Sequence, residues 1–172
     1  MFTLYLTETN IIEKRDKQKS FLLYSNYIIT ILLSAVLLFS GINKIIAPIA
    51  LLENLTTTFK FLPENLFLII AALLPMIEIA LGVFLVFSLY KESLSKYKKI
   101  INLSVVVLFG LFFVYGIYSY IIGLSNDCGC FGDAIKSGTG FGVILRNTFL
   151  LILAIFIFTQ NRTQDKFQLS EE

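Results

Sequence analysis

The chain has 172 residues, 56 % of them hydrophobic and only 15 % charged, with a mean hydropathy of +0.80. A soluble domain is roughly half apolar with about a quarter of its residues charged, so composition argues against a water-soluble fold and makes the lipid bilayer the partner that covers most of the surface. A net charge of +2 with no basic stripe excludes nucleic acid, and the absence of histidine removes the commonest metal ligand, the usual haem ligand and the commonest general base.

Residues 1–20 are mixed and polar, ending in Glu13-Lys14-Arg15-Asp16-Lys17-Gln18-Lys19, and read as a cytoplasmic N-terminal segment. The apolar run Phe21–Ala47 follows. A secretory signal has an apolar stretch of only about 7–15 residues and a small-residue cleavage site; this run is longer and lacks such a site, so it reads as an uncleaved first span. Ser34, Gly41 and Lys44 share one face of it, and small residues on one face let helices approach closely.

The gap that follows carries Pro48, Glu53, Asn54, Thr56–Thr58, Lys60 and Pro63. The second run, Asn65–Tyr90, contains Leu74-Pro75-Met76-Ile77-Glu78-Ile79-Ala80-Leu81-Gly82. Glu78 lies roughly 20 Å into it at 1.5 Å per residue. A carboxylate at that depth is costly and turns to the bundle interior to find a partner. Pro75, Glu78 and Gly82 fall on one helical face, and the candidate partners are Arg146 and Lys44. Such a pair fixes helix packing; with its surroundings it is also suited to a quinone head group or a proton path.

Lys91 to Lys99 form a charged second gap, and Ile100–Leu124 is the third run, with Gly116, Ser119 and Gly123 on one face. The third gap, Ser125 to Gly140, holds both cysteines in Asp127-Cys128-Gly129-Cys130-Phe131-Gly132. Two cysteines one residue apart meet disulfide limits only in a tightly turned backbone, and Gly129 and Gly132 supply the permissive dihedrals. A strained, exposed disulfide is of the labile, catalytic or regulatory kind, whereas a structural bridge over one residue gains little. Asp127 disfavours a thiolate at Cys128, which points to Cys130 as the attacking thiol. Zinc would need Asp127 and Asp133, or a second chain, beside the two sulfurs, and its usual spacing is C-x₂₋₄-C; no metal is assigned. The fourth run, Phe141–Thr159, carries Arg146 about two turns in and leads to a charged tail, residues 160–172.

Each run is long enough to cross a hydrocarbon core, which needs about 20 helical residues. Backbone groups in lipid must be satisfied within the segment, so these are helices, and the alternating ten-residue stretches of a barrel are absent. The expected fold is an all-α membrane protein, a four-transmembrane-helix bundle over residues 21–159. Lys14, Arg15, Lys17 and Lys19, the lysines of the second gap, and Arg162 with Lys166 outweigh Lys44, Lys60 and Lys136 on the other side. That bias puts both termini in the cytoplasm and the cysteine loop outside an inner cell membrane, where disulfides persist. The N-x-Ser/Thr triplets at Asn54, Asn102 and Asn161 read as chance.

Gly41-Ile42-Asn43-Lys44 with Pro48, the Leu74–Gly82 stretch, Cys128-Gly129-Cys130-Phe131-Gly132 and Arg146-Asn147 occur in an order that resembles the MauE branch of the DoxX-like membrane proteins. The resemblance covers about Tyr27 to Phe158. It implies a four-helix protein associated with methylamine utilisation, assisting maturation of the disulfide-rich small subunit of methylamine dehydrogenase and paired with a thioredoxin-like protein. DoxX relatives are linked to thiosulfate oxidation with quinone. The resulting expectation is a membrane thiol–disulfide oxidoreductase acting through Cys128 and Cys130, with Asp127, Gly129, Phe131 and Gly132 shaping the motif. The alternative is a non-enzymatic scaffold that docks a secreted or lipid-anchored partner.

Overall fold

A computed structural model describes residues 2–58, 63–90, 97–122 and 140–168. They form five helices: α1 (Phe2–Ile46), α2 (Pro48–Thr58), α3 (Glu64–Tyr90), α4 (Lys98–Ile121) and α5 (Gly140–Gln168). No strand occurs among the described residues. Four helices contain stretches long and apolar enough to cross a membrane, Ser20–Ile46, Asn65–Leu89, Lys98–Ile121 and Phe141–Asn161. The fold is therefore the expected all-α bundle of four membrane-spanning helices. The motif Asp127-Cys128-Gly129-Cys130-Phe131-Gly132 lies outside the described residues.

The distribution of side chains is that of a protein dissolved in lipid. Ile77, Phe84, Leu111, Val114, Phe149 and Ile152 are exposed, while Ser34, Ser40, Lys44, Glu78, Asn102 and Asn147 are buried. An apolar surface of that extent would not persist in water. In hydrocarbon it is the natural exterior, and polar groups turn inward because lipid offers them no partner. The interior is filled by Leu33, Leu37 and Leu85 from α1 and α3 and by Val105, Phe109 and Leu150 from α4 and α5.

Packing follows two antiparallel pairs, α1 with α3 and α4 with α5, joined by lesser α1–α5 and α3–α4 contacts. Small residues explain the first pair. A Cβ built on Gly41 would lie 2.7 Å from Ile79 Cγ1 and 3.0 Å from the Pro75 carbonyl oxygen, and one on Gly82 would lie 3.2 Å from the Ser34 carbonyl oxygen. Ser34 Oγ donates to the Gly82 carbonyl at 2.8 Å. Interhelical hydrogen bonds of this kind contribute about 0.6 kcal/mol on average within membranes. Asn26 Nδ2 donates to Asn161 Oδ1 at 3.0 Å, tying α1 to α5 at the end of the bundle where the first span begins and the last one finishes.

Helix α2 departs from the sequence reading of the first gap as a run of breakers. Ala47 alone is non-helical between α1 and α2, and its N–H still reaches the Asn43 carbonyl at 2.9 Å. Pro48 ends α1, having no N–H for the Lys44 carbonyl, yet its fixed φ suits the first position of the next helix. Leu51 and Leu55 of α2 bury against Phe67 of α3, and Thr58 shares a hydrogen bond with the Tyr115 hydroxyl of α4 at 3.2 Å. The threonines that looked like loop residues bond their own helix, Thr56 to the Leu52 carbonyl and Thr57 to that of Glu53.

Gly41→Ala should separate α1 from α3 and lower stability by about 1–3 kcal/mol, the usual cost of overpacking. Gly110, whose added Cβ would meet nothing within 4 Å, should accept alanine with no loss and a gain of up to about 1 kcal/mol. Unfolding of both variants in detergent, read by circular dichroism, checks the contrast.

Candidate functional site

The first and third helices meet at a buried ion pair. Lys44 Nζ contacts Glu78 Oε1, with side-chain exposures of 1 % and 0 %. Lysine reaches Glu78 because Gly41, one turn earlier, lets α1 close on the Pro75–Ile79 segment of α3. Within α3, Pro75 leaves the Ala71 carbonyl without its helical donor.

The ammonium is held from three sides. Ser40 Oγ lies 3.1 Å from Nζ, one turn back along α1, and the Phe112 ring of α4 stands 4.7 Å away, centroid to cation. A desolvated cation over an aromatic face gains about 2 kcal/mol or more. Phe109 packs edge-on to Phe112 with ring centroids 6.4 Å apart, steadying that face. On the far side, Asn147 of α5 donates through Nδ2 to the Phe112 carbonyl at 3.0 Å. Gly116, one turn on from Phe112, leaves room for that amide: its added Cβ would lie 3.4 Å from Asn147 Nδ2. The sequence Glu78, Lys44, Phe112, Asn147 thus crosses all four spans as one polar layer.

The layer's depth follows from residue counts. From residue 26 to 40 on α1, from 98 to 112 on α4, and from 147 to 161 on α5 is fourteen residues each, or about 21 Å of helix. On α3, Glu78 is eleven residues or about 16 Å from Leu89 at the same end, so the layer sits between one-half and two-thirds of the way across a core roughly 30 Å thick towards the end from which residues 123–139 depart. Glu78 accepts through Oε1 alone; Oε2 has no hydrogen-bond partner among the described residues, and neither do Asn43 Nδ2 and Ser119 Oγ. Between α1, α4 and α5, on the side of the layer away from residues 123–139, lies a cavity of about 10 Å³ bounded by Val36, Leu37, Ser40, Phe109, Phe112, Asn147 and Leu150.

Of the residues that the sequence singled out, Lys44 and Glu78 come together directly. Arg146, the other partner considered, is half-buried beside Asn147 on α5, and the carboxylate pairs with Lys44. Sequence reasoning missed Ser40, Phe112 and Asn26. Among 17 phenylalanines nothing marks the one beneath a cation, and Asn161, set aside as part of a chance glycosylation triplet, is the partner of Asn26. Asn147 carried a signal as the second residue of the Arg146-Asn147 step. Among the described residues no group of three His, Cys, Asp or Glu could hold a metal.

Fold and site together define a polytopic membrane protein whose four spans close around one buried Lys–Glu pair. The family described as methylamine utilisation protein MauE matches residues 22–160, and the chain belongs to that family. The match takes in all four spans and leaves out the N-terminal segment and the tail. No curated protein and no solved structure shows significant similarity to the chain.

Removing one partner of a buried ion pair is far costlier than removing both. Lys44→Met and Glu78→Met should each destabilise the bundle by about 3–5 kcal/mol, and the Lys44→Met/Glu78→Met double variant by less than either. A double-mutant cycle of unfolding in detergent measures the coupling.

Proposed function

We propose that this MauE-family protein is a membrane thiol–disulfide redox protein in which Cys128 and Cys130 exchange electrons with a thioredoxin-like or client protein outside the cytoplasm. The observation that supports this reading is the polar layer, which sits towards the end of the bundle from which the cysteine segment leaves α4 and returns to α5. The lysine bias of the flanks supports an outward position for that end.

In the proposed exchange the Cys130 thiolate attacks a disulfide sulfur of the partner. One S–S bond forms, one breaks, and a partner thiolate departs, leaving a mixed disulfide. Cys128 then attacks Cys130, releasing the partner as a dithiol and closing Cys128–Cys130. Two electrons and two protons pass to the partner; the reverse sequence returns them. Turnover in the oxidising sense draws on a membrane quinone, which accepts two electrons and two protons as it becomes a quinol. The 10 Å³ cavity between Ser40, Phe112 and Asn147 has room for a water and none for a quinone ring, so in this proposal quinone meets the protein from the lipid side. The family's description as methylamine utilisation protein MauE supports a client in that process, where maturation of a disulfide-bearing extracytoplasmic protein is the step such an exchange serves.

Cys128→Ser should accumulate a mixed disulfide through Cys130, and Cys130→Ser should accumulate none; non-reducing gels of membranes from cells expressing each variant test this. If neither traps a partner and both keep their function in vivo, the cysteines only shape a docking loop and the scaffold reading replaces this one. In intact spheroplasts, a membrane-impermeant maleimide should label the reduced pair from outside. Labelling that requires permeabilised membranes would reverse the proposed topology.

A further inference from the structure

Within the apolar runs Phe21–Ala47, Asn65–Tyr90, Ile100–Leu124 and Phe141–Thr159 the charged residues are Lys44, Glu78 and Arg146. Lys44 and Glu78 cancel each other in the interior, and Arg146 leaves the spans with one positive charge in excess. Cations at membrane depth pair, turn to a cavity or reach for the headgroups.

The position of Arg146 follows from the seam between α1 and α5. The Asn26–Asn161 hydrogen bond sets the register of these antiparallel helices. From there Asn43 stands about 25.5 Å along α1 and Arg146 about 22.5 Å back along α5, so the two are nearly level. They also share a side of the seam. Asn43 continues the α1 stripe of Val36 and Ser40, and Arg146 lies one turn from Leu150; those three residues line the cavity between the helices. The opposite flanks are occupied, since Ser34 and Gly41 meet α3 while Ile144 and Asn147 meet α4. Asn43 and Arg146 therefore stand side by side on the flank turned to lipid, among exposed Phe39, Ile46 and Phe149.

Both residues offer donors there. Asn43 Nδ2 and Arg146 Nε are buried with no acceptor among the described residues, and a bare buried donor is costly. Arg146 is already engaged by a contact of its own, but a guanidinium carries five N–H donors in a fork that matches phosphate. The spans end at Ile46 and Phe141, three and five residues away, or about 4.5 and 7.5 Å of helix. Side chains lean towards the N-terminus of their helix, which on α5 is this same membrane end, so Arg146 is directed at the headgroups.

We propose that this seam binds an anionic phospholipid of the leaflet at the loop end. Arg146 and Asn43 donate to its phosphate, and Phe39, Ile46 and Phe149 lie against its acyl chains. The phosphate carries the negative charge that balances Arg146. An ammonium headgroup would find no acid to meet it, because Glu53 and Glu64, the described acids at this end, belong to α2 and α3, and α3 packs on the other flank of α1. The lipid is therefore of the phosphatidylglycerol kind. The site is independent of the redox reading.

The test titrates the full chain in detergent with phosphatidylglycerol and reads bound lipid by native mass spectrometry. One lipid should be retained per chain. Arg146→Gln should weaken retention about tenfold, as expected for loss of a charge-assisted hydrogen bond, and Asn43→Leu about threefold. Should Arg146→Gln fail to fold, Arg146→Lys keeps the charge, removes the fork, and should still lose affinity. Arg162→Gln, at the opposite membrane end, should change nothing. Phosphatidylethanolamine should bind more weakly, and inorganic phosphate should not compete. Equal retention by the wild type and the seam variants overturns the inference, as does an equal loss with Arg162→Gln or equal binding of the two lipids. Competition by inorganic phosphate would make this a site for a soluble anion and overturn the lipid assignment.

Discussion

An ammonium and a carboxylate cannot be held separately inside a bilayer. Each costs several kcal/mol to bring out of water, and their mutual attraction offsets this only when geometry and further hydrogen bonds are good. Lys44 and Glu78 meet that condition, and much of the bundle is arranged around their meeting. Gly41 brings the backbones of α1 and α3 together there, Pro75 opens the α3 ladder one turn away, and Phe112 with Ser40 completes the surroundings of the cation. Helix pairs in lipid gain little from hydrophobic association, because lipid tails are as apolar as leucine. A buried pair covered by Phe112 of a third helix, which a fourth helix anchors through Asn147, is therefore a strong source of specificity in how these four spans pack.

The same layer connects fold to chemistry. Asn147 is committed to the Phe112 carbonyl, so α5 is held to α4 at the level where α4 covers the lysine. The two antiparallel pairs are thereby joined through a ring face rather than through a further salt bridge. A neutral joint of this kind leaves the net charge of the interior near zero, which is what the surrounding hydrocarbon tolerates.

Much of this was legible in the sequence because lipid simplifies the rules. The spans could be read to within a few residues, since the length of an apolar run and the charges that bound it are direct consequences of bilayer thickness. Glu78 declared itself as an isolated acid in an apolar run. Its partner was narrowed to Lys44 or Arg146 and decided only by packing: Gly41 and Gly82 mark the faces that touch, and those faces carry Lys44 and Glu78. Aromatic and amide contributions stayed hidden, because Phe112 differs from its neighbours in position alone. Helix α2 was obscured by residues with two meanings, since proline both ends one helix and begins the next, and threonine can cap a loop or bond back within a turn.

The 34-residue separation between Lys44 and Glu78 also has a temporal side. The lysine is synthesised well before its acid, so a nascent first span carries an uncompensated cation until the next span emerges. The cation's aromatic cover, Phe112, arrives later still with the third span, the Asn147 that bonds its carbonyl arrives with the fourth, and the Asn26–Asn161 clasp can close only when the last span is nearly complete. Biogenesis of this protein is thus bound to an order in which the earliest helix waits for every later one, and insertion machinery must shelter Lys44 for that interval.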